Sequence, residues 1–165
     1  MSARRPPRFS IDLAVAPDWA NAERLRTAVG SCMLAMSCDP DASRAVALVT
    51  AELAENAIKY GAFDDTSATF RVNLTGADGR VSVVVESPAA AGDEHAARLF
   101  SMLSWIEGFR SGDDAFRARL LEIAKVGGPP SSSRLGLVRL VYEASCTLRA
   151  EIDGGVLRVT AEMPL

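Results

Sequence analysis

Phe9, Ile11, Leu13 and Val15 alternate with mostly polar neighbours, and a period of two predicts a strand buried on one face. Pro17 and Asp18 then open a helix on which Trp19, Ala22, Leu25, Val29 and Met33 recur at helical spacing. Asp39-Pro40-Asp41 closes it and starts a second helix from about Asp41 to Tyr60, which Gly61 ends as a left-handed cap. Strands follow over Ala68 to Thr75 and Arg80 to Ser87, joined through Ala77-Asp78-Gly79 as a hairpin. From Asp93 to Val126 the pattern is helical, broken near Ser111-Gly112, with Leu99, Met102, Leu103 and Ile106 on one face. Gly127 to Ser133 reads as a loop of Gly, Pro and Ser, and Leu135 to Ala144 as a helix. Cys146 to Ile152 and Val156 to Met163 form a closing hairpin around Asp153-Gly154-Gly155. The order β-α-α-β-β-α-α-α-β-β predicts an α/β (α+β) two-layer sandwich, a mostly antiparallel sheet with helices on one face.

A chain of 165 residues, 48% apolar and 24% charged, suits one compact domain with a real core. Residues 1–8 are basic and proline-containing and read as a solvated tail, leaving 9–165 as the domain. A net charge of -3 provides no basic field for nucleic acid, and no window has the apolar length of a membrane span. Cys32, Cys38 and Cys146 have no metal-ligand spacing and read as reduced thiols of a cytoplasmic protein. His95, the single histidine, has no acid or nucleophile motif beside it and reads as a surface or lid residue. Every basic residue except Lys59 and Lys125 is arginine, which makes each lysine a marked choice.

The run Thr50-Ala-Glu-Leu-Ala-Glu-Asn-Ala-Ile-Lys-Tyr-Gly61 holds the candidate chemistry. At about 100° per residue Glu52, Asn56 and Lys59 share a narrow arc, with Val46, Ala47, Ala51, Leu53, Ala54, Ala57 and Ile58 opposite. An amide oxygen can ligate Mg²⁺, an ammonium can neutralise phosphate, and a carboxylate can orient or deprotonate an attacking hydroxyl. The plain alternative is a solvated face with contacts between successive turns.

Glu52-Leu-Ala-Glu-Asn56-Ala-Ile-Lys59-Tyr60 resembles the N-box of the GHKL ATPase superfamily, to which gyrase and sensor histidine kinases belong. A Glu four residues before the Asn is similar to the anti-sigma-factor serine kinase branch. Ser132-Ser-Arg-Leu-Gly136-Leu-Val-Arg-Leu-Val141 is similar to the family's second glycine box, with Ser132 and Arg134 at the first two glycine positions and Gly136 kept. The first glycine box departs further: counting along Val81, Val83 and Val85 puts Ser87 at the place of the adenine-binding Asp and Ala89 at the next glycine. Glu86 points to the other face.

The resemblance implies a Bergerat-type ATP-binding fold in which Glu52 is the catalytic carboxylate, Asn56 holds Mg²⁺, Lys59 touches phosphate and Tyr60 lines the pocket. Ser87 and Ala89 would face adenine, and Ser132, Ser133, Arg134, Leu135 and Gly136 would present the phosphate loop at a helix N-terminus. Those side chains would look into a cleft closed by a helical lid at 93–133. Small bacterial regulators of this branch phosphorylate or bind a STAS-type or antagonist-like protein, or a sigma factor, in partner-switching circuits, and family members often form homodimers through the first strand and helix. Two readings stay open: an ATP-Mg²⁺-dependent serine/threonine kinase, and a degenerate pseudo-kinase that binds its partner without nucleotide.

Overall fold

The computed structural model describes residues 7–127 and 132–165, without the side chains of 132–134. The strands are β1 (Phe9–Val15), β2 (Phe70–Ala77), β3 (Arg80–Pro88), β4 (Thr147–Asp153) and β5 (Val156–Pro164). The helices are α1 (Trp19–Ala35), α2 (Pro40–Tyr60), α3 (Glu94–Glu107), α4 (Gly112–Val126) and α5 (Ser132–Glu143). Their order is the one the periodicity predicts. The strands form one sheet in the order β1-β2-β3-β5-β4, every neighbouring pair antiparallel, and the helices lie on one of its faces. The fold is an α+β two-layer sandwich.

Alternation along the strands separates the two faces. Phe70, Val72 and Leu74 of β2, Val81, Val83 and Val85 of β3, and Ala161 and Met163 of β5 are buried under the helices. Each large apolar side chain so buried contributes roughly 1.5–3 kcal/mol relative to exposure. Val46, Val49, Leu53, Ala54 and Ala57 of α2 pack on this surface, and Leu25, Val29 and Met33 of α1 join the same core. α2 touches α1, α5 and strands β2, β3 and β5, so buried residues occupy most of its circumference and leave only a narrow polar stripe. α4 packs on α5, with Phe116 and Tyr142 stacked at 4.5 Å, and α3 lies beside β4. Leu99 and Leu103 of α3 join the main core, so α3 is part of the helical layer.

Local chemistry fixes the boundaries. Asp18, Asp39, Asp93 and Ser111 cap α1 to α4 by accepting from backbone N–H groups of the first turn. Asp78-Gly79 and Gly154-Gly155 have positive φ, the twist that tight antiparallel hairpins require. Several details differ from expectation, most of them boundaries that move by a residue or two. Gly61 ends α2 with φ -65° and ψ 141°, extended rather than left-handed. Crowding is what its missing side chain relieves, since a Cβ there would stand 2.6 Å from the Ala57 carbonyl oxygen and 2.4 Å from the Phe63 ring. β2 begins at Phe70, because Ala68 N–H donates back to Asp65 and holds that stretch in a turn. α5 begins at Ser132, inside the expected loop, whose residues 128–131 lie outside the described ones, as do residues 1–6 of the expected tail. Arg8 pairs with Asp78 in the β2–β3 turn.

Candidate functional site

Helical spacing places Glu52, Asn56 and Lys59 along the stripe of α2 that runs toward its C-terminus, but the three meet different surroundings. Glu52 faces α5. Its Oε1 lies 3.3 Å from Nη2 of Arg139, and a Cβ on Gly136 would come to 3.5 Å from its other oxygen. Arg139 Nε in turn lies 3.5 Å from Glu143, one turn further along α5. Burial pushes the Glu52 carboxyl above its ordinary pKa; Arg139 opposes that shift without cancelling it, and Glu55 and Glu143 add to it.

Asn56, one turn on, is half-buried, and its amide has no hydrogen-bond partner among the described residues. Lys59 is exposed, forms no ion pair with a described residue, and holds its ammonium 5.0 Å from the centre of the Tyr60 ring. Tyr60 stacks on His95 at 4.5 Å, which joins the end of α2 to the first turn of α3.

The end of β3 arrives at the same place. Ala62 N–H donates to the Pro88 carbonyl at 2.8 Å, and Ala89 N–H to Gly155 at 2.8 Å. Ser87 is 5% exposed and lies on the helix-facing side with Val81, Val83 and Val85, the side read from the alternation. Glu86 faces away, as that parity requires, and accepts from Arg158 at 2.7 Å. Leu135 and Gly136 are half-buried in the first turns of α5. Ser132, Ser133 and Arg134 stand in the same helix, but their side chains lie outside the described residues.

The start of α5 thus meets α2 at Glu52, and the end of β3 meets the chain just beyond the C-terminus of α2, at Ala62. The expected cleft does not appear in open form at Glu52, because Arg139 occupies the space in front of the carboxylate. Two grooves stand out elsewhere. One lies on the helix-free face beside Asp12, Arg71 and Glu86, and the other runs between α3 and β4. Neither is lined by Glu52, Asn56 or Lys59.

Sequence reasoning missed Arg139 and the contact of His95 with Tyr60. Arg139 follows Gly136 by three residues and so shares its face of the helix, a signal available once Gly136 is set against α2. On the helix-free face a charge row was also missed. Asp12, Arg71, Glu86, Arg158 and Glu151 cross all five strands, with ion pairs joining Arg71 to Asp12 and Arg158 to both glutamates.

The donor set fits Mg²⁺ and phosphate in part. The Asn56 amide and the Lys59 ammonium have no hydrogen bond or ion pair with a described residue, Ser87 offers only a neutral hydroxyl at the position the resemblance gives to an adenine-binding acid, and Glu52 is held by Arg139. Among the described residues no cluster of three or more His, Cys, Asp and Glu could hold a metal alone, and no helix is long and apolar enough to cross a membrane.

The sequence matches no protein-family model and no curated protein. The fold is similar to a chain in the crystal structure of the SiaB–SiaC complex from Pseudomonas aeruginosa. That likeness has a TM-score of 0.67 at 17% identity and covers 98% of this chain and 92% of the other. The TM-score and coverage show a common fold over essentially the whole domain, and at that identity the likeness extends to the fold alone.

Proposed function

We propose that this chain is a regulatory protein of the anti-sigma-factor kinase type that binds ATP-Mg²⁺ and controls a small protein partner in a partner-switching circuit. The observation that carries this reading is the pair of unengaged groups, Asn56 and Lys59, on the α2 stripe between the end of β3 and the start of α5. An amide oxygen and an ammonium one turn apart suit a magnesium-bound phosphate, and neither Asn56 nor Lys59 has a hydrogen bond or ion pair with a described residue. Bound ATP would supply a phosphoryl group. This chain's own part would be to hold Mg²⁺ and phosphate at Asn56 and Lys59, and to set Glu52 beside an incoming hydroxyl once Arg139 has moved away. Support for a protein partner, STAS-type or antagonist-like or a sigma factor, comes from the resemblance of the N-box and from the fold's likeness to a chain crystallised as a two-protein complex.

A second reading, a pseudo-kinase that binds its partner without nucleotide, draws on two observations: the buried neutral Ser87 in place of an acid, and the Glu52–Arg139 pair. Thermal melting with Mg-ATP separates the two. A ligand that binds only the native state at 100 times its Kd stabilises it by about 2.7 kcal/mol, which for a chain of this size is roughly 5–10 °C. The expected result is a rise of that order that Asn56→Ala abolishes. No rise at millimolar Mg-ATP defeats the nucleotide reading and leaves the pseudo-kinase.

A further inference from the structure

Arg139 is ion-paired to Glu52, yet uses little of its guanidinium there. A guanidinium presents a planar fork of donors that matches two oxygens of a single anion. Glu52 offers Arg139 one oxygen, 3.3 Å from Nη2, which is long for a charge-assisted hydrogen bond. The Nε atom is buried and lies 3.5 Å from Oε2 of Glu143, but donates no hydrogen bond to any described residue. A buried donor without an acceptor is costly, and an incoming anion that accepted from it would remove that cost.

Glu52 for its part is a poorly matched partner. Burial raises its pKa, Arg139 opposes that without cancelling it, and Glu55 and Glu143 add to it. Gly136 sets no side chain against the second Glu52 oxygen, where a Cβ would stand at 3.5 Å, so the carboxylate has room to turn.

We propose that Arg139 is the receptor for the γ-phosphoryl group of ATP, exchanging the single Glu52 oxygen for two phosphoryl oxygens that accept from Nη2 and Nε together. This assignment rests on the proposed function, which gives Mg²⁺ and the inner phosphates to Asn56 and Lys59. Asn56 stands four residues beyond Glu52, about 6 Å along the helix axis, so a ligand that spans both is longer than one phosphate. The exchange makes and breaks no covalent bond. It relieves the Nε donor, and it turns the Glu52 carboxylate out of a pair that burial disfavours. Glu52 and the phosphoryl group then compete for one cation as like charges, which fixes the sign of every effect below.

Calorimetric titration with Mg-ATP and with Mg-ADP, which lacks the γ-phosphoryl group, tests the exchange. Arg139→Gln should weaken Mg-ATP about tenfold or more and leave Mg-ADP within about twofold, the loss of one charged hydrogen-bonded contact. Arg139→Lys keeps the charge without the fork and should recover only part of that affinity. Glu52→Gln removes the competing charge, so it should tighten Mg-ATP about threefold or more with Mg-ADP unchanged, and the gain should vanish in the Arg139→Gln background. A pair that served only to join α2 to α5 would give none of this selectivity, since its loss weakens both nucleotides together. Glu52→Gln lacks only a charge and keeps the test open should Arg139→Gln fail to fold.

Equal weakening of Mg-ATP and Mg-ADP by Arg139→Gln, or no gain in the ATP-to-ADP preference from Glu52→Gln, overturns the exchange while nucleotide binding stands. A gain from Glu52→Gln that persists without Arg139 overturns it as well. No binding of Mg-ATP to the unmodified protein defeats the proposed function and the exchange with it.

Discussion

Removing either charge of the Glu52–Arg139 pair should have opposite consequences, and the sign follows from burial. The pair is 22% and 36% exposed, bridges α2 and α5 at 3.3 Å, and makes a single N–O contact instead of a two-pronged one. Two unit charges at that distance attract by about 5 kcal/mol at an effective dielectric of 20. Desolvation outweighs that attraction at the carboxylate, because the Glu52 pKa lies above its ordinary value despite Arg139. Arg139→Met leaves a half-buried carboxylate without its cation. Fully buried pairs broken in this way cost about 3–5 kcal/mol and exposed ones about 0–1, so partial exposure places the loss near 2 kcal/mol at neutral pH. In melting temperature that is roughly 6 °C. Glu52→Gln instead removes the charge that burial disfavours, and should leave stability within about 1 kcal/mol of the unmodified protein or raise it. The pH dependence has a definite sign. A carboxyl whose folded pKa is raised contributes stability fully below its unfolded value and loses it as pH rises through the folded value. Relative to Glu52→Gln, the unmodified protein should therefore gain as pH falls from neutral toward the ordinary 4.5, and the Arg139→Met deficit should shrink over the same interval. Urea denaturation of both variants and their double at about pH 7.5 and about pH 5 measures these differences. A Glu52→Gln loss above about 2 kcal/mol, or an Arg139→Met loss equal at both pH values, would refute the account.

Two further outcomes follow from packing. Burial pushes the Cys146 thiol up to about 11 and raises Cys38 as well, while Cys32 is exposed, so one thiol should react quickly with an aromatic disulfide and two only on unfolding; two fast thiols would contradict this. A Cβ on Gly112 would stand 2.7 Å from the Val141 carbonyl oxygen, so Gly112→Ala should force α4 from α5 and lower stability by about 2 kcal/mol, read by denaturant melts.

Alternation and helical period made the fold legible because almost every element has one apolar side. Phe70-Val72-Leu74 and Val81-Val83-Val85 could sit only on a core face, and the same parity placed Ser87 inward and Glu86 outward before any pairing was known. What the pattern lacked was local crowding. Gly61 marks the end of α2 from sequence, yet the reason for a glycine is the Phe63 ring and the Ala57 carbonyl, whose positions depend on how the chain leaves the helix.

The candidate site was legible to the same depth and stopped for a similar reason. A period of 3.6 residues sets Glu52, Asn56 and Lys59 in one arc, but says nothing of what lies over that arc. Glu52 meets a residue 87 positions away. Arg139 reaches it only because α5 crosses α2 with Gly136 against the carboxylate and the arginine one turn on. Asn56 and Lys59, beyond the reach of Arg139, keep their polar groups unengaged among the described residues. The stripe is thus divided: its N-terminal carboxylate is tied to α5, and its C-terminal amide and ammonium have no hydrogen bond or ion pair with a described residue. On the proposed function, a ligand at Asn56 and Lys59 that drew α5 away from α2 would break the Glu52–Arg139 contact and so couple occupancy of one half of the stripe to release of the carboxylate in the other.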